Sequence, residues 1–339
     1  MGALSGSNAS IVIPSVNGAK MALTEWSAEN EDCDIKLQEF DTEGDPAKAT
    51  PAATQMATNE DFLGVIGGAF SGETRATKGI FDDAGLTMIS QSATATDLTL
   101  EDPASVFHRV IGYDDVQGVA IANYLREVLQ AKKIFVVDDS TAYGEPLANT
   151  VKTELGDLVA DSDKTQEGQT DFAAVVSKVE AAAPDAVFYA GYAAEAGPFL
   201  KQLRDAGVEE PFVGGDGLYG ADFPKAAGAA SEGAIVTCPC LPAEEAGGTF
   251  AADYEAEYGE APGAYAAEGY DAMNIFLAAF ADGARDREAV EKFVDAYEGQ
   301  GLTKTYKFDE KGDVAEENVV IWAYKVTDGA LVADQEVPK

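Results

Sequence analysis

Leu63-Gly64-Val65-Ile66-Gly67-Gly68-Ala69-Phe70-Ser71-Gly72-Glu73 is the stretch on which the fold turns. A short apolar run, residues 63–66, ends in a glycine-rich turn, and a stretch with helical period, residues 73–83, follows it. That is the order strand, turn, helix. Working outward, the same alternation recurs. Candidate strands are residues 35–40, 86–89, 133–137, 186–189, 211–213 and 234–237. Residues 15–28, 116–130, 148–155, 171–182 and 194–206 have the spacing of amphipathic helices. Ile134-Phe135-Val136-Val137 is apolar at every position, as a parallel strand covered on both faces must be. The expected class is α/β, built from βαβ units.

Two such series occur, one before about residue 113 and one after it. Beyond Cys240 the style changes to successive helices, residues 249–258, 263–281 and 287–298. A hairpin-like pair follows, residues 302–309 and 318–326, expected to turn at Glu310-Lys311-Gly312-Asp313. No long Pro/Ser linker separates the parts. At 339 residues the chain has room for two ordinary domains. Domains without a linker are expected to be joined by several crossing strands.

Composition excludes some functions. Hydrophobic residues make up 46%, yet no run approaches the roughly 18 apolar residues of a membrane span. Sixty acidic residues face 23 lysines and arginines, a formal net charge of -37. Phosphate backbones are held by basic surfaces, so general nucleic-acid binding is excluded. Dispersed acid of this kind solvates a surface; a salt-rich habitat is the second reading. The segment Met1-Gly2-Ala3-Leu4-Ser5-Gly6 has neither the charged nor the apolar part of a signal segment. It reads as the tail of a strand entering a glycine turn, so a removed leader and a shortened first strand are expected. Residues 1–4 should then lie centrally in the first sheet, between residues 35–40 and 63–66.

Catalytic machinery is hard to assemble. His108, the only histidine, sits in the strand-like run Val106-Phe107-His108-Arg109-Val110 and reads as structural rather than as a general base. No Gly-x-Ser-x-Gly elbow and no phosphate loop occurs. Gly215-Asp216-Gly217-Leu218-Tyr219-Gly220 matches the dinucleotide glycine pattern only in its spacing, because it does not follow the first strand of its series. Cys238-Pro239-Cys240 is too poor in partners for structural zinc, which needs four ligands. A small apolar pair or a local disulfide is expected there, with Cys33 out of reach.

Binding chemistry is easier to find. Strand-to-helix turns in a parallel sheet aim N–H groups and hydroxyls beyond the strand ends. Ser71 is placed to cap the helix after the first quoted strand, and its hydroxyl and N–H suit a carboxylate equally. The next strand runs into Ser90-Gln91-Ser92-Ala93-Thr94. In the second series, Asp138-Asp139-Ser140-Thr141-Ala142-Tyr143 and Tyr189-Ala190-Gly191-Tyr192 each place a tyrosine just past a strand, and Asp216 follows another. Hydroxyls for a carboxylate, an acid for an ammonium and aromatic walls suit a zwitterion with an apolar side chain.

With these residues in place, the whole chain resembles the leucine/isoleucine/valine-binding proteins, the substrate-binding components of branched-chain amino acid ABC transporters. The resemblance runs from Gly2-Ala3-Leu4-Ser5-Gly6 through Val65-Ile66-Gly67, Met88-Ile89-Ser90, Ala93-Thr94, Tyr143-Gly144-Glu145 and Gly191-Tyr192 to Phe308-Asp309-Glu310-Lys311-Gly312-Asp313. It implies a type I periplasmic-binding fold, with two doubly wound lobes joined by a three-strand hinge and closing on a ligand held in the cleft. One lobe would comprise residues 1–113 and 241–320, the other 114–240 and 321–339. The resemblance assigns the ligand carboxylate to Ser71 with help from Tyr192. It assigns the ammonium to Thr94, the carbonyl of Ser92 beside Ala93, and Asp216. Tyr143 would lie against the ligand. The family often has Glu where Asp216 stands, and an aromatic residue where Ile11 stands, while Phe70 and Tyr265 add bulk here. No cofactor or metal is implied. The expected partner is a membrane permease, the expected state a monomer outside the cytoplasm. A ligand sensor, or a binding protein for amides, urea or aromatic acids, is the alternative.

Overall fold

The computed structural model describes residues 1–338, and its chain divides into two compact units. Unit 1 comprises residues 1–112 and 240–319, unit 2 residues 113–239 and the described residues from 320 on, so the chain crosses three times. Unit 1 opens with α1 (Ala9–Glu29), α2 (Pro46–Thr58), β1 (Val65–Ile66), α3 (Ser71–Asp83), β2 (Met88–Ser90), α4 (Asp97–Leu100) and β3 (Phe107–Arg109). Unit 2 follows with α5 (Asp114–Asn123), β4 (Ile134–Asp138), α6 (Gly144–Leu155), β5 (Val159–Lys164) and α7 (Ala173–Ala182). It continues through β6 (Ala186–Ala190), α8 (Ala193–Asp205), β7 (Phe212–Gly214), α9 (Asp222–Ala227) and β8 (Ile235–Cys238). The chain then returns to unit 1 for α10 (Phe250–Tyr258), α11 (Ala266–Ala281), α12 (Arg287–Asp295), β9 (Glu298–Gln300) and β10 (Thr305–Lys307). It ends in unit 2 with β11 (Trp322–Thr327) and β12 (Ala330–Glu336).

The unit 1 sheet pairs β1, β2 and β3 in parallel, with Val65 opposite Met88 and Met88 opposite Phe107. The chain start takes the central place expected of it. The Met1 amine donates to the Ile66 carbonyl at 2.8 Å, while Gly2 bridges Asp41 in parallel on the other side. Residues 35–40 do not form the expected strand: they run extended, and only the bridge at Asp41 is paired. Gly2 occupies a single ladder step, so nothing extends the pairing.

Alternation along β2 sends neighbours to opposite faces. Met88 joins Phe81, Leu98 and Phe107 under α2 and α3, whereas Ile89 joins Ile275, Phe276, Val290 and Tyr306 under α11 and α12. Both faces of β2 are therefore covered, which is why Met88 and Ile89 are both apolar. Helix α1 lies directly on α11, because a Cβ at Gly18 would stand 1.9 Å from the Ala266 carbonyl oxygen. A Cβ at Gly269 would stand 2.0 Å from the Ser15 carbonyl oxygen. Small residues on both sides are what this approach requires.

Unit 2 has seven strands in the order β12-β11-β8-β7-β6-β4-β5, parallel from β5 to β8 and antiparallel beyond. Phe135, Phe172, Tyr189, Phe199 and Phe212 form its core. Truncating one such ring typically costs about 3–5 kcal/mol.

The hairpin expectation is half right. The reversal at residues 310–313 exists, closed by the Asp309–Asp313 backbone bond and a Phe308–Val314 bridge. Residues 302–309 do not pair with 318–326, however. β10 pairs with β9, and β11 belongs to unit 2, where it pairs with β8 and β12. Cys238 and Cys240 are disulfide-bonded across Pro239, and Cys33 is a free thiol. Among the described residues no helix is long and apolar enough to cross a membrane.

Candidate functional site

The candidate residues fall into two clusters, one in each unit. In unit 1, the β1–α3 turn delivers Ser71 as the first residue of α3. The sequence places Ser71 as the cap; in the structure the cap position is Phe70, no side-chain cap bond is made, and the helix begins at Ser71 itself. Ser71 is buried, and its Oγ accepts from the Ala95 N–H at 3.1 Å. That bond ties the α3 start to the loop after β2. First-turn N–H groups of a helix have no intrahelical acceptor and carry a partial positive charge, so this corner suits a carboxylate.

The loop itself is braced from inside. Ser90 Oγ donates to the Gly68 carbonyl at 2.8 Å and accepts from the Ala93 N–H at 2.9 Å. Ser92 Oγ donates to the Ala69 carbonyl at 2.8 Å. Thr94 is 1% exposed, and its Oγ1 has no hydrogen-bond partner among the described residues. A buried hydroxyl without a partner is uncommon and calls for an explanation.

Beneath the loop lies a buried ion pair. Arg109 Nε donates to Asp313 Oδ1 at 2.5 Å, and its Nη1 donates to the carbonyls of Ala93 and Ala95 at 3.2 and 2.9 Å. Nη2 and the other Asp313 oxygen both meet Thr99 Oγ1, at 2.6 and 2.7 Å. The guanidinium fork thus fixes the backbone on both sides of Thr94. Sequence reasoning missed this pair, because Arg109 reads as one charge inside a strand. Glu73, in the first turn of α3, is also buried, accepting from Thr42 Oγ1 and the Ala69 N–H, both at 2.7 Å. Burial pushes its carboxyl above the usual carboxylate range.

Ile11, Phe70 and Tyr265 are all buried in unit 1. Ile11 lies on α1 and Tyr265 directly precedes α11, in a left-handed conformation at φ +57°. Phe70 packs against Gly44.

In unit 2, Tyr143, Tyr192 and Asp216 come together from three strand ends. The Tyr143 hydroxyl donates to Asp216 Oδ1 at 2.6 Å and accepts from the Gly217 N–H at 3.0 Å. The rings of Tyr143 and Tyr192 lie 5.2 Å apart, tilted by 33°. Burial, and then the charges of Asp216 and Asp114, push the Tyr143 hydroxyl well above its ordinary pKa. Asp114 was missed by sequence reasoning, since an acid opening a helix reads as a dipole partner. Asp139, also missed, is a support: its Oδ1 accepts from Thr141 N–H and Oγ1 at 3.0 and 2.6 Å, and its Oδ2 from the Tyr192 N–H at 3.1 Å. Burial raises its pKa to about 6. A Cβ at Gly191 would stand 2.4 Å from that carboxylate, so the position is closed to other residues.

Among the described residues the one group of three metal-ligating side chains is His108, Glu291 and Asp295, which includes none of these residues.

Comparison with known proteins gives these clusters a context. The periplasmic binding protein family model matches residues 1–330. The Leu/Ile/Val-binding protein of Escherichia coli K12 is 30% identical over 323 residues, covering 93% of this chain and 86% of that one. The leucine-, isoleucine-, valine-, threonine- and alanine-binding protein of Pseudomonas aeruginosa is 30% identical over 280 residues, covering 81% and 74%. Among solved structures, the branched-chain amino acid transporter substrate binding protein of Streptococcus pneumoniae, in complex with isoleucine, superposes with a TM-score of 0.91 at 27% identity. That match covers 99% of this chain and 97% of the other. The fold is the type I periplasmic-binding fold, and the chain belongs to the periplasmic binding protein family.

Proposed function

We propose that this protein is the extracytoplasmic substrate-binding component of an ABC importer, taking a small amino acid, branched-chain by preference, for delivery to a membrane permease. The observation that carries this reading is Thr94: a buried hydroxyl with no partner among the described residues, on a loop hydrogen-bonded to Ser71 at the start of α3. An unsatisfied donor beside a helix N-terminus is chemistry waiting for a small polar ligand. In this reading unit 1 recognises the α-carboxylate through Ser71 and the α3 N–H groups, and contributes Thr94 and the Ser92 carbonyl to the ammonium. Unit 2 contributes the charge of Asp216 and the rings of Tyr143 and Tyr192. The ligand is bound and released unchanged. The relatives named for leucine, isoleucine and valine support the side-chain class.

Calorimetric titration against the common amino acids tests it. Leucine, isoleucine and valine should bind most tightly, with a negative heat-capacity change from apolar burial. Equal affinity for the matching carboxylic acids without an amine would overturn the amino-acid reading.

A further inference from the structure

Away from both clusters, β3 and α12 present a set of groups that the transport reading leaves unused. His108, on β3, is 1% exposed. Its Nε2 lies 3.0 Å from Oδ1 of Asp295, in the last turn of α12. Glu291 stands one turn earlier on the same helix face. One ligand atom from each of the three lies within 4.8 Å of the others. All three residues belong to unit 1.

We propose that His108, Glu291 and Asp295 form a binding site for a first-row divalent cation such as zinc. Imidazole with two carboxylates is a donor set that such ions take, at bond lengths near 2.0–2.2 Å. Tetrahedral ligands at those lengths stand about 3.3 Å apart. Nε2 and Oδ1 are already at 3.0 Å, and the third atom needs a shift of at most about 1.5 Å, within reach of a glutamate rotamer.

A second observation is independent of that spacing. Glu291 Oε1 is buried and has no hydrogen-bond partner among the described residues. The other Glu291 oxygen accepts from Thr87 Oγ1 at 2.6 Å, an outer contact that orients the carboxylate. No ion pair among the described residues joins a lysine or arginine to Glu291 or Asp295, and the basic side chain beside them is the imidazole. A buried carboxylate lone pair left unmatched beside a second acid is costly, and a cation removes that cost. The Phe308 ring, 4.9 Å from the imidazole and edge-on, closes one side. Asp295, 59% exposed, leaves the other side open for entry and for water as a further ligand.

The test uses the intact protein with zinc chloride as probe and millimolar magnesium present to occupy generic surface carboxylates. His108 is the only histidine in the chain, so one imidazole proton resonance reports on it directly. The expected result is one saturable equivalent of zinc, a shift of that resonance, and a rise in melting temperature. Asp295→Asn, at an exposed position, should keep the fold and weaken zinc binding by at least about tenfold. His108→Gln should abolish the site. No saturable binding in wild type, or binding undiminished in Asp295→Asn with the imidazole resonance unmoved, would mean adventitious surface ions only and overturn the proposal.

Discussion

Replacing Asp216 by Asn separates charge from shape. Asp216 is 4% exposed, and its Oδ1 is held at 2.6 Å by the Tyr143 hydroxyl. An asparagine keeps an acceptor there, so the tyrosine stays in place and only the charge is lost. Two unit charges about 4 Å apart interact by roughly 4 kcal/mol at an effective dielectric constant near 20. Removing one partner of a buried pair costs about 3–5 kcal/mol by measurement. The affinity for leucine should therefore fall by about two to three and a half decades. Asp216→Glu keeps the charge and should stay within about tenfold of wild type. In the ligand-free protein Asp216→Asn turns the charge-assisted bond from the Tyr143 hydroxyl into a neutral one, so the fold should be kept with a modest loss of stability. Isothermal titration at low and at molar salt distinguishes a buried pair from surface attraction. Surface attraction is screened within about 3 Å at 1 M, whereas the loss through Asp216 should persist. Leucine binding equally well to wild type and Asp216→Asn would refute the ammonium assignment.

Other substitutions probe the supports. Thr94→Val keeps the shape and removes an unpartnered hydroxyl, so the melting temperature should hold or rise while affinity drops by about 1–3 kcal/mol; a fall in both would show that the hydroxyl has an internal partner. Asp313→Asn breaks the pair with buried Arg109 and should cost about 3–5 kcal/mol in urea unfolding, with an unchanged midpoint as the refuting result. Asp139 gives a pH dependence. Its folded pKa, about 6, lies above the ordinary 3.8, so folding favours the protonated form. The associated stability is full below pH 4 and lost as pH rises through 6, at most about 3 kcal/mol. Urea unfolding of wild type and Asp139→Asn from pH 4 to 7 checks this: the wild type should lose stability relative to the variant over that range, and parallel curves would count against it.

The parallel core was legible because burial on both faces leaves continuous apolar runs, as in Ile134-Phe135-Val136-Val137. β5 was not, because it is an edge strand whose residues, Val-Ala-Asp-Ser-Asp-Lys, face water along most of their length. α2 was also missed. Its start is signalled by Asp45, which accepts from the Ala47 N–H, and by Pro46, but Pro51 interrupts the pattern that would have announced a helix. Pairing across long sequence gaps, such as β11 with β8, is decided by which unit the chain has re-entered, and local pattern carries no trace of that.

The loops that bear the candidate site were visible as clusters of hydroxyls, but hydroxyls of the same kind end up in different states. The protons of Ser90 and Ser92 are committed to the carbonyls of Gly68 and Ala69, so these side chains brace the loop and cannot also donate to a ligand. Among the described residues the Ser71 hydroxyl only accepts, from the Ala95 N–H, which leaves its proton available for a carboxylate. Thr94 Oγ1 has neither acceptor nor donor among the described residues. The distinction arises from where the Arg109 fork pins the backbone on either side of Thr94, a contact no local sequence pattern encodes. It also orders the expected phenotypes. Ser92→Ala should lower stability by about 1 kcal/mol and act on affinity only through loop order. Ser71→Ala should lower affinity by about 1–3 kcal/mol, because the α3 N–H groups remain to hold the carboxylate. If Ser92→Ala weakens ligand binding more than Ser71→Ala or Thr94→Val does, the division into bracing and binding hydroxyls is wrong, and with it the reading of Thr94 as the open position.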